Sequence, residues 1–542
     1  MVCVTISIRA CGELVHEGVR VPKTVIACLS LVGLYLALSA CAPAAPATGQ
    51  GQNAPAKPQT FTWSDSTELL ARVPCCEASV DKNTTWLLNQ MFDGLVAYAP
   101  GTSNIVPDLA ENWDVSADRL TWTFHLRKGV TFSDGSPLTA QDVKYSWDLA
   151  QGPDSRTNIR LGSIARVDTP DDNTVVVVTK TPDSTLLYGI VDIGGMVQSQ
   201  KSTPDNPIGT GPYVLKQWNR GENVVLERRT NYWGTPPKLE KLTYLKRPEE
   251  TTRLVELTKG DVDMTKLSLD DMDTLKRTSD VSTQVPQSSM LVGVRLNTRV
   301  PPFDRKEVRQ ALNYAIDKQA ILNNLLRGAG YVPDGLAGHG VFATATLSNG
   351  YYPYDPQKAA ALMTQAGLVK VGDRWTMNDQ PVTFRLYTPE GRYVEDRAVA
   401  EYVAQQLQTF GLNVMHQVVP WTVWAADEQK KMVALQEDGG MNGYSLLHPV
   451  GNWADQLSCV NKDKYETGYC NPDVDADLNS ARAAASDQEQ IADYQKAQLT
   501  IVDDAPWLLL YGQNPVWGVR NQVNGVTFTP NEIPITTGVE IK

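Results

Sequence analysis

The chain reads as a mixed α/β protein built from more than one domain. Its 542 residues exceed what one hydrophobic core holds. Strand-type alternation, as in Thr121-Trp-Thr-Phe-His-Leu-Arg127, is interleaved with stretches whose apolar residues recur at helical spacing, as at Val399, Tyr402, Val403, Leu407 and Phe410. No repeat of fixed period occurs, which argues against a solenoid or propeller. Hydrophobic residues make up 42% and charged ones 20%, an ordinary balance for a folded soluble domain. The net charge of −12 disfavours a polyanionic partner, and no basic run offsets it, so nucleic acid is not expected as a partner.

At the N-terminus, Arg20 and Lys23 precede an apolar run from Val25 to Leu38 that ends in Leu38-Ser-Ala-Cys41. The run is too short for a dedicated membrane span, and residues 1–40 read as a signal peptide. Leu-Ser-Ala-Cys resembles a bacterial lipobox, which implies that Cys41 is acylated and becomes the first mature residue. Residues 41–58 are rich in Pro, Gly and Ala without apolar periodicity, as in a flexible tether. Lipid and tether together imply a body outside the cytoplasm, anchored to the cell membrane in a periplasmic space or at the cell surface.

The body opens with the strand at 121–127, a turn at Ser133-Asp-Gly135, and a helix from Ala140 to Ala150. Thr139 and Asp142 form the capping box of that helix, with the acid in the first turn where the dipole favours it. Asn206-Pro-Ile-Gly-Thr-Gly-Pro-Tyr213 is a tight turn, since Gly permits positive φ and Pro fixes φ. Tyr213-Val-Leu-Lys216 and Asn223 to Arg229 follow as strands, and Asn231-Tyr-Trp-Gly234 closes the unit. Val308, Ala311, Leu312, Ala315 and Ile316 form one buried helical stripe. Asp355-Pro356 supplies an N-cap and Pro at the first helical position, Gly367 ends that helix, and Gly411 ends the one at 399–410.

Cys459 and Cys470 bracket a short loop, and outside the cytoplasm that spacing suits a disulfide worth about 2–3 kcal/mol in chain-entropy terms. Cys75-Cys76 can form only a strained vicinal disulfide or remain thiols. The five His have no metal-ligand spacing among them, and neither a Gly-x-Ser-x-Gly elbow nor a P-loop occurs. No metal, no cofactor and no ATP hydrolysis is therefore read in this chain. A glycosidase-type carboxylate pair has no sequence signature, so a secreted hydrolase stays as the enzymatic alternative.

Several blocks share one further property. They are the 206–213 turn with Asn231-Tyr-Trp-Gly234, Leu109-Ala-Glu-Asn-Trp113, Trp122 to Gly129, Phe132 to Val143, Gly260-Asp-Val-Asp-Met264, and Pro301 to Asp317. In this order they resemble the extracytoplasmic solute-binding proteins of the peptide/nickel/oligopeptide class (family 5) of ABC importers, from about Thr60 to the C-terminus. The resemblance implies a two-lobed periplasmic-binding-protein (Venus flytrap) fold with an extra inserted domain. Lobe I is then expected over 59–93, 207–298 and 508–542, the insert over 94–206, and lobe II over 299–507. It also implies a monomeric, non-enzymatic receptor that captures oligopeptides between its lobes and delivers them to a membrane permease.

By the same resemblance, Tyr145, Trp421 and Tyr444 are expected to face the ligand, with Trp453 nearby. One departure stands out. Peptide binders of the class carry a carboxylate three residues after the position of Tyr444, where this chain has Leu447, and Met441 stands where an Arg can sit. A buried ligand charge without a partner is costly. An oligosaccharide stacked on the aromatics is thus the alternative ligand, unless Asp455 replaces the missing carboxylate.

Overall fold

Three larger sheets organise the chain in the computed structural model, which describes residues 57–74, 81–152, 155, 161–421, 423–424, 438–444, 447–450, 453–463, 465 and 467–542. The expected signal peptide, Cys41, nearly all of the tether, and Cys75-Cys76 lie outside the described residues. Among the described residues, no helix is long and apolar enough to cross a membrane.

The first sheet has seven strands, in the order 281–284, 516–520, 264–267, 60–65, 241–246, 223–228 and 213–219. Thr60–Asp65 runs through its middle, parallel to both Lys241–Lys246 and Met264–Leu267. A strand buried on both faces should be apolar and bulky, and Phe61 and Trp63 are fully buried. Trp63 meets Trp86 and Tyr244 edge-on at 4.9 and 4.8 Å between ring centres, an arrangement the ring quadrupoles favour.

The second sheet has six strands, in the order 330–331, 507–513, 291–296, 439–444, 383–390 and 413–420. Leu291–Leu296 and Trp507–Gln513 pair with each other here. Bounds at 298 and 508 would part these strands from the other strands of the sheet in which they pair. The chain therefore crosses between the sheets at 285–290 and again at 514–515. Residues 306–316 pack on this sheet, and Val308, Ala311, Leu312, Ala315 and Ile316 all lie in its core. The regular helix is only Lys306–Tyr314, because Asp317 caps a new short turn by accepting the Ala320 N–H at 2.9 Å. Helices Pro356–Gln365 and Asp396–Phe410 end where Gly367 and Gly411 take φ of 82° and 119°.

The third sheet is antiparallel, in the order 110–115, 121–126, 174–179 and 164–171. Thr121–Leu126 alternates half-buried and buried along its length, and helix Ala140–Ala150 covers the buried face. The Asp142 carboxylate accepts from the Thr139 N–H at 3.0 Å and its hydroxyl at 2.8 Å, fixing the entry to that helix.

The turn at 206–213 joins this unit to the first sheet, for a reason other than positive φ. Neither Gly209 nor Gly211 is left-handed; a Cβ on them would lie 2.1 Å and 2.5 Å from backbone atoms of Met91. The glycines permit close approach. Arg229, 5% exposed, then ties the turn down. Its Nη1 donates to the carbonyls of Thr210 at 2.8 Å and Gly211 at 3.2 Å, and Nη2 to those of Thr131 and Phe132, each at 3.0 Å. A planar fork with five donors suits this array, and an ammonium does not reach both sides. Arg229→Lys should therefore lower the unfolding free energy by about 2–4 kcal/mol. Denaturant titration checks this; an unchanged midpoint would show that the guanidinium fork is not what joins the units.

Candidate functional site

A cleft of about 330 Å³ opens between elements of the seven-stranded and six-stranded sheets. That volume is at the lower end of ligand sites, which commonly form at such boundaries. Lys82, Lys266 and Asp65 line it from one side, and Arg392, Tyr393 and Trp421 from the other.

The second wall is built on the loop before helix Asp396–Phe410. The Asp396 carboxylate accepts the backbone N–H groups of Gly391, Arg392 and Tyr393 at 3.2, 2.7 and 3.0 Å. The Val394 N–H goes to the Gln513 amide oxygen at 3.1 Å, and its carbonyl accepts from the Tyr511 hydroxyl at 2.8 Å. Side chains thus satisfy four successive N–H groups, so the loop has one conformation although it belongs to no helix or strand. The Tyr393 hydroxyl donates to Asn442 Oδ1 at 3.0 Å and accepts the Gly443 N–H at 2.8 Å, fastening the loop to strand Gly439–Tyr444.

On this frame, the Arg392 guanidinium lies 4.9 Å from the centre of the Trp421 ring, and Trp421 stacks on the buried Trp424 at 5.2 Å. Tyr393 meets Trp421 edge-on at 6.4 Å. A guanidinium over an indole is held in place by the ring's quadrupole without being neutralised. Arg392 forms no ion pair among the described residues, and its Nε is buried without a hydrogen-bond partner. Such an orphan donor costs free energy unless another group meets it.

The opposite wall carries Lys82 and Lys266 around the buried carboxylate of Glu532. Burial would raise Glu532, but Lys82 and Lys266 outweigh it and hold the carboxyl at about 2. Burial lowers Lys82 to about 8, opposed by Glu532 and reinforced by Arg392 and Lys266. Glu532 thus faces two cations, Lys82 and Lys266, and the carboxylates Asp65, Asp81, Glu250, Glu390, Glu395 and Asp396 line the same cleft.

Of the residues expected at the ligand, Trp421 lines this cleft. Tyr444 does not. It lies in the core of the second sheet, 4.7 Å from Trp507, and its hydroxyl donates to the Leu336 carbonyl. Trp453 is fully buried in the same cluster, edge-on to Tyr494 at 6.1 Å. Tyr145 is half-buried on helix Ala140–Ala150 and is not among the described residues lining the cleft. Their burial has a physical cause: large aromatics supply core area wherever a sheet face needs covering.

Met441 and Leu447 are likewise buried, and His448 beside Leu447 stacks on Tyr188 at 3.8 Å. This segment serves packing against the inserted unit, so an acid there would be buried in an apolar cluster. Asp455 pairs with Arg482 at 3.1 Å and is not free to replace it. Cys459 and Cys470 are joined in a disulfide with an S–S distance of 2.07 Å. Arg392, Lys82 and Lys266 had no motif to mark them; the sole local signal is Gly391-Arg392-Tyr393 ahead of an acidic helix start.

Comparison with known proteins decides the family. The model for bacterial extracellular solute-binding proteins, family 5 middle region, matches residues 104–453. The chain belongs to that family. The dipeptide-binding protein of Escherichia coli is 28% identical over 93% of this chain and 95% of its own length. Heme-binding protein A of Haemophilus influenzae is 27% identical over 89% of this chain and 93% of its own length. A Pseudoalteromonas dipeptide binding protein in complex with Met-Leu superposes with a TM-score of 0.77 at 22% identity, covering 89% of this chain and all of that one. NikZ from Campylobacter jejuni in complex with Ni(L-His) gives 0.75 at 21% identity, covering 89% and 97%. The family-5 chain thus has the two-lobed α/β fold of these receptors.

The geometry separates two aromatic roles. Trp421→Ala should weaken ligand capture about tenfold or more. Tyr444→Phe should leave capture unchanged and lower stability by about 1 kcal/mol through the lost hydrogen bond. Paired binding and denaturation titrations read both; loss of capture in the Tyr444 variant would return that residue to the ligand site.

Proposed function

We propose that this family-5 protein is the substrate-binding lipoprotein of an ABC importer, capturing oligopeptides between its lobes and handing them to a membrane permease. It is a monomeric receptor and not an enzyme. Lobe I takes residues 59–93, 207–284 and 516–542, the insert 94–206, and lobe II 291–513, so that the strand chains at 285–290 and 514–515 are the hinges. Closure around ligand presents the permease with a distinct conformation.

The observation that carries the peptide reading is the Arg392 guanidinium over Trp421, without an ion pair among the described residues and with its Nε buried and unmet by any of them. A peptide carboxylate supplies a bidentate acceptor for that fork, and a peptide side chain or backbone lies on the indole. The remaining peptide backbone is held by polar groups of both walls. Peptide binders are among the relatives, which include a dipeptide-binding and a glutathione-binding protein beside a heme-binding one. A neutral oligosaccharide would stack on Trp421 but leave Arg392 uncompensated, which makes it the second choice.

Two experiments test the parts separately. In a thermal-shift and calorimetric screen, mixed peptides with free carboxylates should raise the melting temperature and the same peptides as C-terminal amides should not. Arg392→Gln should weaken the free-acid peptides about 10- to 100-fold. Equal binding of acids and amides, or stabilisation by oligosaccharides alone, would overturn the assignment. For the anchor, Cys41→Ala should leave unprocessed or soluble protein; a mature N-terminus elsewhere and without acyl groups would refute the lipoprotein reading.

A further inference from the structure

Glu532 belongs to no motif, yet three parts of the chain converge on it. It is 5% exposed and its φ of 69° is left-handed, a conformation that disfavours glutamate and persists only where the surroundings impose it. Its Oε1 accepts from the Ser288 hydroxyl at 2.7 Å and the Gln513 amide at 2.9 Å, and its Oε2 from Lys82 Nζ at 2.5 Å. Ser288 lies on one crossing between the sheets, Gln513 ends the strand that leads into the other, and Lys82 opens helix Lys82–Met91 on the cleft wall. Gln513 turns its amide oxygen to the Val394 N–H at 3.1 Å. A continuous chain of hydrogen bonds thus runs from Lys82 through Glu532 and Gln513 to the loop that carries Arg392.

We propose that Glu532 is a positioning residue for the ligand cleft: by accepting from Ser288, Gln513 and Lys82 together, it fixes Gln513 on Val394 and so holds the Arg392 loop in register with both crossings. The proposal rests on the assignment of the cleft as the ligand site. The chemistry requires an anion. All three groups facing the carboxylate are donors, and only a side chain with acceptors and no donor of its own meets them all. A glutamine would have to aim an N–H₂ at one of them, orphaning a buried donor. The charged groups that act on the relay most strongly are these: Glu532 faces Lys82 and Lys266, and Lys82 faces Glu532, Arg392 and Lys266. Glu532 also acts on the buried Tyr331 and Tyr511 hydroxyls, and Asp65, Asp81, Glu250, Arg253, Glu390, Glu395, Asp396 and Arg397 line the adjoining cleft.

Two variants of the full-length protein test this, each with two readouts. Glu532→Gln removes the anion, and Gln513→Met removes the link to Val394 while conserving volume. In ligand-free protein, hydrogen exchange at the Val394 amide should quicken about tenfold in both, with strand Thr383–Glu390 unchanged as the control for folding. Against an equimolar library of tri- to pentapeptides with free carboxylates, both variants should bind about tenfold more weakly. The pH profile separates them. Wild-type and Gln513→Met affinity should fall as pH rises past about 8, where Lys82 loses its proton. In Glu532→Gln that fall should move to lower pH, because burial then acts on Lys82 without its counter-ion. Val394 exchange equal to wild type in both variants, or a Glu532→Gln affinity loss by the same factor at every pH, would overturn the relay. If the wild type takes up no peptide, the peptide reading fails, while the exchange result still decides the relay.

Discussion

Everything in this fold that concerns ligand depends on where one guanidinium, that of Arg229, ties the chain to itself. Its fork collects carbonyls from the Gly209–Gly211 turn and from Thr131 and Phe132, two stretches far apart in sequence. The turn comes so close to Met91 that no side chain larger than hydrogen fits at either glycine. The next residues, Tyr213–Asn219, form the edge strand of the seven-stranded sheet, and the helix containing Met91 begins at Lys82 on the cleft. One buried cation therefore locks the inserted unit, the first sheet and the helix that bears Lys82 into one body. Buried backbone carbonyls need partners, and here a single side chain supplies them.

The cleft then arises from an asymmetry between its walls. On the side of the six-stranded sheet, a loop outside regular structure is fixed by borrowed acceptors, Asp396 and Gln513, and carries an arginine that lies over Trp421 and forms no ion pair among the described residues. On the other side a buried acid, Glu532, is held ionised by Lys82 and Lys266. A site whose polar groups are already held binds a ligand that meets its buried, unpartnered donor, Arg392 Nε, and does not have to reorder itself. That preorganisation is the physical basis for reading the cleft as a receptor site.

Much of the fold was legible in the sequence because its signals are local. The Thr139–Asp142 capping box, the alternation of Thr121–Leu126 and the stripe ending at Gly411 each depend on a few neighbouring residues, and each has its counterpart in the structure. The glycines of the turn were legible as a feature but not in their cause, which lies in the distant backbone of Met91. The site was harder to read. Tyr444 and Trp453 carry the same chemistry as Trp421, and only the sheet register decides that they point into the core. Arg392 was invisible because nothing in Glu390-Gly391-Arg392-Tyr393 distinguishes an arginine left unpaired from one in an ordinary surface pair such as Arg397 with Glu401. The pairing of strands 291–296 and 507–513 with each other is likewise invisible in the sequence, because sheet membership follows hydrogen-bond partners and not position along the chain.

The central claim is capture without chemistry, and one measurement addresses it most directly. The purified protein is incubated with the mixed peptide library, separated from free peptide, and its bound cargo is counted and weighed by native mass spectrometry. The account predicts one peptide per chain, released on unfolding with its mass unchanged and its C-terminal carboxylate free. Shortened products accumulating beyond one equivalent would instead show an enzyme, and chains that emerge without peptide but carrying a glycan would show a receptor for a different ligand.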